Sequence, residues 1–267
     1  LVATARNAAD LQFLIDEYGD RVRAVALDVT RPAEARSAIA AAVAAFGRID
    51  VVVNNAGYAN VSSVEDVAED DFRAQIETNF FGVVNVTRAV LPVMRGQGAG
   101  RIIQISSIGG RHGGPGLGAY QSAKWAVGGF SEVVAAEVAP LGIRVTIVEP
   151  GGMRTDWAGS SMRIDPVTAP YQPTVGAFWN ARHPTPDVAR GEPAKAAAAI
   201  LTLAELPDPP LHLLLGSDAL FLAGIISQSR AAEDAKWRAL SASSDADGVG
   251  DFADTPVAKM LVSSKRS

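Results

Sequence analysis

Tyr120-Gln121-Ser122-Ala123-Lys124 places a phenol and an ammonium four residues apart. On a helix that spacing sets both on one face. Ser107 stands upstream in a turn-rich stretch, just after the apolar run Arg101-Ile102-Ile103-Gln104-Ile105, and Asn79 lies further upstream. In α/β proteins reactive groups collect at strand ends and in the loops that follow them. A phenol beside a fixed cation can give and take a proton near neutral pH. The set therefore points to chemistry on a carbonyl or a hydroxyl.

These residues need elements to hold them, and the pattern alternates strand-like and helix-like segments. Leu1-Val2-Ala3-Thr4-Ala5 reads as a strand, and Asn7 to Tyr18 suits a helix. Val22 to Leu27 is a strand ending at Asp28. Ala33 to Phe46 carries Ile39, Val43 and Phe46 on one face, and Gly47 stops it. Ile49 to Val53 is a buried strand that runs into Asn54-Asn55-Ala56-Gly57. Phe72, Ile76, Phe80, Val83, Thr87 and Val90 form one long helical stripe. Strand 102–105, a helix over 120–139, strand 143–148, a helix over 193–206 and a short strand 211–215 complete the alternation. Such alternation predicts right-handed crossovers and a parallel sheet covered on both faces. The near-continuous apolar strands agree with two-sided burial. Residues 153–190 are an irregular insert, and 241–267 lose periodicity and read as a polar, mobile tail.

Composition limits the function classes. The chain has 267 residues, 48% hydrophobic, with net charge -5 and no cysteine. Nucleic-acid binding needs clustered Lys and Arg, so that partner is excluded as the main one. Disulfides, thiolate metal sites and a Cys nucleophile are excluded too. No uninterrupted apolar run reaches the length of a membrane span. The longest, Leu211 to Ile226, is broken by Asp218 and two glycines and suits a core element. The opening residues do not read as a signal peptide, and a cytoplasmic protein is expected. His112, His183 and His212 are scattered without ligand spacing, so no metal is expected and none of the three receives a role.

With these elements in place the chain resembles the short-chain dehydrogenase/reductase family in its classical form. Asp28-Val29 is similar to the family's adenine contact. Asn54-Asn55-Ala56-Gly57 resembles its strand-end motif, and Asn79 falls at its helix Asn. Ser107, Tyr120 and Lys124 match its Ser and Tyr-x-x-x-Lys in order and spacing. Pro150-Gly151 with Thr155 resembles the Pro-Gly-x-x-x-Thr segment beside the nicotinamide. The likeness covers residues 1 to about 240. It implies a doubly wound Rossmann-like sheet in three layers and an NAD(P)-dependent oxidoreductase. A homodimer or homotetramer formed through the helices of Asn79 and Tyr120 is also implied.

One departure is large. The family opens with a strand and a Thr-Gly-x-x-x-Gly-x-Gly turn, whose glycines let the backbone approach the cofactor pyrophosphate at a helix N-terminus. Gly109-Gly110 and Gly113-Gly114 lie too late in the chain to serve. A strand plus helix of roughly 30 residues is expected to be missing, leaving two central strand edges without partners. The natural protein is therefore expected to extend further upstream.

The resemblance and the chemistry together assign roles. Hydride transfer to a carbonyl builds charge on oxygen, so Tyr120 is the general acid/base. Lys124 favours the phenolate and, as the resemblance implies, bonds the nicotinamide ribose. Ser107 orients the substrate oxygen. Asn79 is expected to hold a water that links Lys124 to solvent, a role compatible with a buried amide bonding nearby backbone. Asn55, Ala56, Gly57, Pro150, Gly151 and Thr155 line the cofactor, and Tyr120 and Lys124 contact it as well. Ala5 stands where NAD-binding relatives carry a carboxylate and Arg6 follows it, so NADP(H) is expected over NAD(H). Met153, Trp157, Met162, Tyr171, Phe178 and Trp179 of the insert are candidates for an apolar substrate pocket. Two alternatives stand beside the enzyme: a non-catalytic dinucleotide-binding or regulatory protein, and an inactive truncated fragment.

Overall fold

In the computed structural model, which describes residues 1–155, 162–181 and 189–264, the apolar runs become short parallel strands. Strand β1 (Val2–Ala5) pairs with β2 (Arg23–Ala26). Strands β3 (Val51–Asn54), β4 (Gly100–Ile105), β5 (Ile143–Pro150) and β6 (His212–Leu215) form a second ladder in that order, all parallel. Helices lie between them: α1 (Gln12–Tyr18), α2 (Pro32–Phe46), α3 (Glu69–Ile76), α4 (Gly82–Gln97), α5 (Gly118–Val138), α6 (Ala177–Ala181) and α7 (Pro193–Glu205). Two more follow β6, α8 (Ser217–Ala242) and α9 (Pro256–Ser264). The result is a Rossmann-like α/β fold. No helix among the described residues is long and apolar enough to cross a membrane.

Side-chain alternation along the strands places the core on two faces. Ile102, Ile143 and Val145 pack against Val90 and Met94 of α4 and Val134 and Val138 of α5. Ile103 and Val148 turn the other way and meet Leu203 of α7, with Leu213 and Leu215 beside them. The two ladders share apolar clusters, since Val25 and Val52 both pack on Leu27, Ala35, Ala38 and Val86. They exchange no ladder hydrogen bonds, and Val51 and Val53 remain 36% and 43% exposed. The sheet thus parts between β1 and β3, the position at which the resemblance implies a further strand.

Two stretches differ in detail from the sequence-based expectation. The stripe from Phe72 to Val90 is continuously helical but passes through a π-turn, Glu77–Phe81, that joins α3 to α4 and contains Asn79. A π-turn inserts one extra residue per turn, which the apolar periodicity does not register. Within the expected polar tail, Pro256–Ser264 is helical. The chain divides into two compact units, Leu1–Ala223 and Gly224–Ser267. The first unit contains both ladders and every residue of the expected site.

Candidate active site

Parallel strands deliver their C-terminal ends to one edge of a sheet. Arg6 follows β1, Asp28 and Val29 follow β2, Asn55 to Gly57 follow β3, Ser107 follows β4, and Gly151 to Thr155 follow β5. Helix α5 then brings Tyr120 and Lys124 back over the same edge.

Ser107 caps a short 3-10 turn, Ile108–Gly110. Its Oγ accepts from Gly109 N at 3.0 Å, and its carbonyl accepts from Gly110 N at 2.8 Å. Ser107 stands near enough to Tyr120 to act on its hydroxyl. Tyr120 lies in the first turn of α5 and is only 7% exposed. Burial pushes its hydroxyl up to about 12, and the nearby Ser107 hydroxyl draws it back in part. The lowering expected from Lys124 does not offset that burial in the cofactor-free state. The ammonium lies 5.7 Å from the centre of the Tyr120 ring and donates to the Ile105 carbonyl at 2.8 Å. Burial lowers Lys124 to about 8. Desolvation therefore outweighs attraction, and the resting pair favours neutral phenol.

Asn79 is fully buried, and its amide is spent on backbone. Nδ2 donates to the Tyr58 and Gln75 carbonyls at 2.8 Å each, and Oδ1 accepts from Tyr58 N at 3.1 Å. These bonds fit the buried-amide role expected for its side chain. A methyl on Gly57 would lie 2.5 Å from Asn79 Oδ1 and 3.5 Å from Lys124 Nζ. Gly57 is thus the point where the β3 loop, the π-turn and α5 close together, and only hydrogen fits there.

The cofactor edge is open. Asn55, Ala56 and Gly57 are exposed, as is Arg6. The charge of Arg6 reaches Asp28 and Tyr58, adding slightly to the lowering of Asp28 and offsetting a little of the rise that burial gives Tyr58. Asp28 Oδ1 accepts from Thr30 N at 3.0 Å and from Thr30 Oγ1 at 2.7 Å, which holds its carboxyl below the usual range. The Val29 carbonyl accepts from Asn85 Nδ2 at 2.9 Å. Gly151 N donates to Leu215 O at 2.9 Å, and Thr155 N to Met153 O at 3.0 Å. This open, glycine-lined edge beside a buried cation fits the ribose and nicotinamide of a dinucleotide. The glycine-rich turn that would cradle its pyrophosphate is not among the residues of this chain.

The insert lies over Tyr120. Met162 and Val175 are buried with Tyr120, Ala59, Val61 and Leu117, and Tyr171 and Trp179 pack on that cluster. Trp179 Nε1 donates to Pro115 O at 3.2 Å, and its ring meets Phe178 edge-on. Met153 instead bridges to Gly191. Trp157 and His183 lie outside the described residues.

Sequence reasoning missed the polar groups beneath the site. Asn54 Nδ2 donates to Gln104 Oε1 at 2.8 Å, and Gln104 Nε2 donates to Thr87 Oγ1 at 3.1 Å, all buried. Gln121 Oε1 accepts from Gly114 N at 2.6 Å. Glu149 receives Arg111, and Asp218 receives Gly152 N at 2.7 Å. The available signal was a polar residue inside an apolar strand, as at Gln104 and Glu149.

Comparison with known proteins bears on the family. The pattern of the short chain dehydrogenase family matches residues 1–163. An oxidoreductase of Botryotinia fuckeliana is 52% identical over 245 residues, 91% of this chain and 89% of that one. A solved short-chain dehydrogenase from Streptomyces avermitilis superposes with TM-score 0.81 at 39% identity, covering 92% of this chain and 89% of that one. A 3-ketoacyl-(acyl-carrier-protein) reductase from Brucella melitensis, solved with NADH, gives 0.66 at 26% identity over 80% of this chain and 85% of its own. The order of motifs, the parallel sheet and these likenesses have one meaning: the chain belongs to the short-chain dehydrogenase/reductase family of nicotinamide-dependent oxidoreductases.

Proposed function

We propose that the chain interconverts an apolar ketone or aldehyde and its alcohol, with NADP(H) as hydride carrier. One observation carries this reading: Tyr120, with Ser107 acting on its hydroxyl, is buried beneath an apolar cover of Met162, Val175 and Trp179. A bound nicotinamide supplies or accepts the hydride at the substrate carbon. The chain handles the oxygen. Ser107 Oγ–H donates to it and aligns it with Tyr120. Tyr120, held near 12, carries its proton at neutral pH and meets a nascent alkoxide as an acid. Proton and hydride together complete the alcohol. Lys124, held near 8, keeps its charge at neutral pH and offsets the phenolate left on Tyr120. Asn79 supports the site from below by fixing Tyr58.

Arg6 supports the cofactor choice. It is exposed at the end of β1, where a carboxylate would repel a 2′-phosphate and a guanidinium bonds it. The family alone does not choose, because a solved neighbour holds NADH. Asp28, Val29, Asn55, Ala56, Gly57, Pro150, Gly151 and Thr155 complete the cofactor edge. Trp125 and Val133, exposed on α5, suit a homodimer or homotetramer, which light scattering would reveal.

The test is oxidation of NADPH and NADH with ketones and aldehydes of rising chain length. Turnover rising with chain length and favouring NADPH is expected, with the preference reversed by Arg6→Asp. An unchanged preference in that variant removes the NADP assignment. Cofactor binding without turnover would make the chain a regulatory dinucleotide binder, and no binding an inactive fragment.

A further inference from the structure

Glu149 is a carboxylate buried in an apolar strand, only 4% exposed, and no step of the proton chemistry above uses it. It is the residue before Pro150-Gly151, on the same face of β5 as Val145. Arg111 is the residue after the 3-10 turn that Ser107 caps. Arg111 grips Glu149 with a two-pronged fork: Nε to Oε1 at 2.8 Å, and Nη2 to Oε2. His212 of β6 meets the same carboxylate, Nδ1 lying 3.3 Å from Oε2, while its Nε2 lies 3.3 Å from Glu132 Oε1 on α5. Both oxygens of Glu149 are therefore engaged, and an uncompensated buried charge would be costly if either main partner were lost. A bidentate guanidinium–carboxylate pair also fixes orientation, not merely distance.

Around this pair the two turns have further anchors. Gly110 packs against the Lys124 carbonyl, where a methyl would lie 3.0 Å away. On the other side Gly152 N donates to Asp218 at 2.7 Å, and Gly151 sits against the same carboxylate.

We propose that Glu149, gripped by Arg111 and His212, is a positioning residue that sets the spacing between the Ser107 turn and the Pro150–Thr155 turn. The first turn faces the substrate oxygen and the second the nicotinamide. This rests on the proposed hydride-transfer reading for its catalytic consequence, but the mechanical coupling of the two turns does not. Glu149 and Arg111 touch neither substrate nor cofactor in this scheme. They hold the groups that do.

Hydrogen exchange of the cofactor-free protein, with steady-state kinetics alongside, tests the inference on Glu149→Gln and Arg111→Lys. Glu149→Gln removes the charge that the fork needs. Arg111→Lys keeps a charge but loses the fork. The expected result is that peptides covering 106–112 and 150–155 exchange faster together, by tenfold or more in Glu149→Gln and by a smaller common factor in Arg111→Lys. The remaining sheet should be unchanged. Turnover should fall at least tenfold with substrate KM within threefold. Faster exchange in one turn alone, a uniform rise across the sheet, or unchanged turnover in a variant with loosened turns would overturn it. If Glu149→Gln fails to fold, the milder Arg111→Lys decides by the same criterion. If the wild-type chain turns over no carbonyl, the proposed function fails, and the exchange measurement alone decides whether the turns are coupled.

Discussion

At the scale of single residues the site is governed by burial. Tyr120 is held near 12 and Lys124 near 8, both away from charge. A phenol in that state is a proton donor in waiting. Tyr120→Phe is expected to cut turnover by about 10²–10⁴-fold while leaving cofactor affinity within twofold. Single-turnover kinetics with a binding titration checks this. Absorbance titration of the wild type minus Tyr120→Phe should show the Tyr120 phenolate only near pH 12, and a transition near 10 would contradict the buried geometry. Gly57 is the other sensitive point. Gly57→Ala drives a methyl to 2.5 Å from Asn79 Oδ1 and must break its bonds to Tyr58. A loss of about 1–3 kcal/mol in stability is expected, measured by denaturant unfolding, from overpacking alone.

At the scale of elements, the interest lies where the sheet parts. β1 and β3 each present an edge whose backbone groups lack a ladder partner. Unpaired edges in a sheet are costly and invite pairing with other chains. A chain extended before Leu1 by a strand and a Gly-x-x-x-Gly-x-Gly turn is expected to melt at least about 5 °C higher. It should also bind NADPH more tightly, since the turn brings backbone N–H groups to the pyrophosphate. An unchanged melting point by calorimetry would mean that the edges gain nothing from a partner. The π-turn at Glu77–Phe81 is the second element of note, because it turns the Asn79 amide onto Tyr58 and Gln75.

At the scale of the whole molecule the two buried groups become a pH profile. Lys124 binds its proton less tightly folded than unfolded, where its value is 10.5. Between pH 8 and 10.5 the unfolded chain holds the extra proton, so stability rises with pH. Tyr120 is the reverse: its folded value lies above 10.0, so its contribution is full below pH 10 and is lost as pH rises through 12. The pair therefore gives a maximum near pH 10, each arm on the order of 3 kcal/mol. Unfolding free energies measured across this range should lose the rising arm in Lys124→Met and the falling arm in Tyr120→Phe. A flat difference between wild type and either variant would refute the corresponding arm.

The sequence by itself determined the alternation of strands and helices, and with it the edge on which Ser107, Tyr120 and Lys124 gather. Periodicity records which side of each element is apolar, and motif order records the family. Helices α2, α5 and α7 match their expected spans closely because apolar stripes and flanking Gly and Pro mark them. Only the tertiary structure decided the rest. Asn79 reads as a weak helix residue until the π-turn shows its amide bonded to a loop 21 residues away. Glu149 and Arg111 are 38 residues apart and become partners only when β4 and β5 pair. The protonation state of Tyr120 followed from desolvation rather than from its nearest charge, because burial depends on everything packed around a group. Local spacing names the groups that can react; the surroundings that set their charge and aim come from distant parts of the chain.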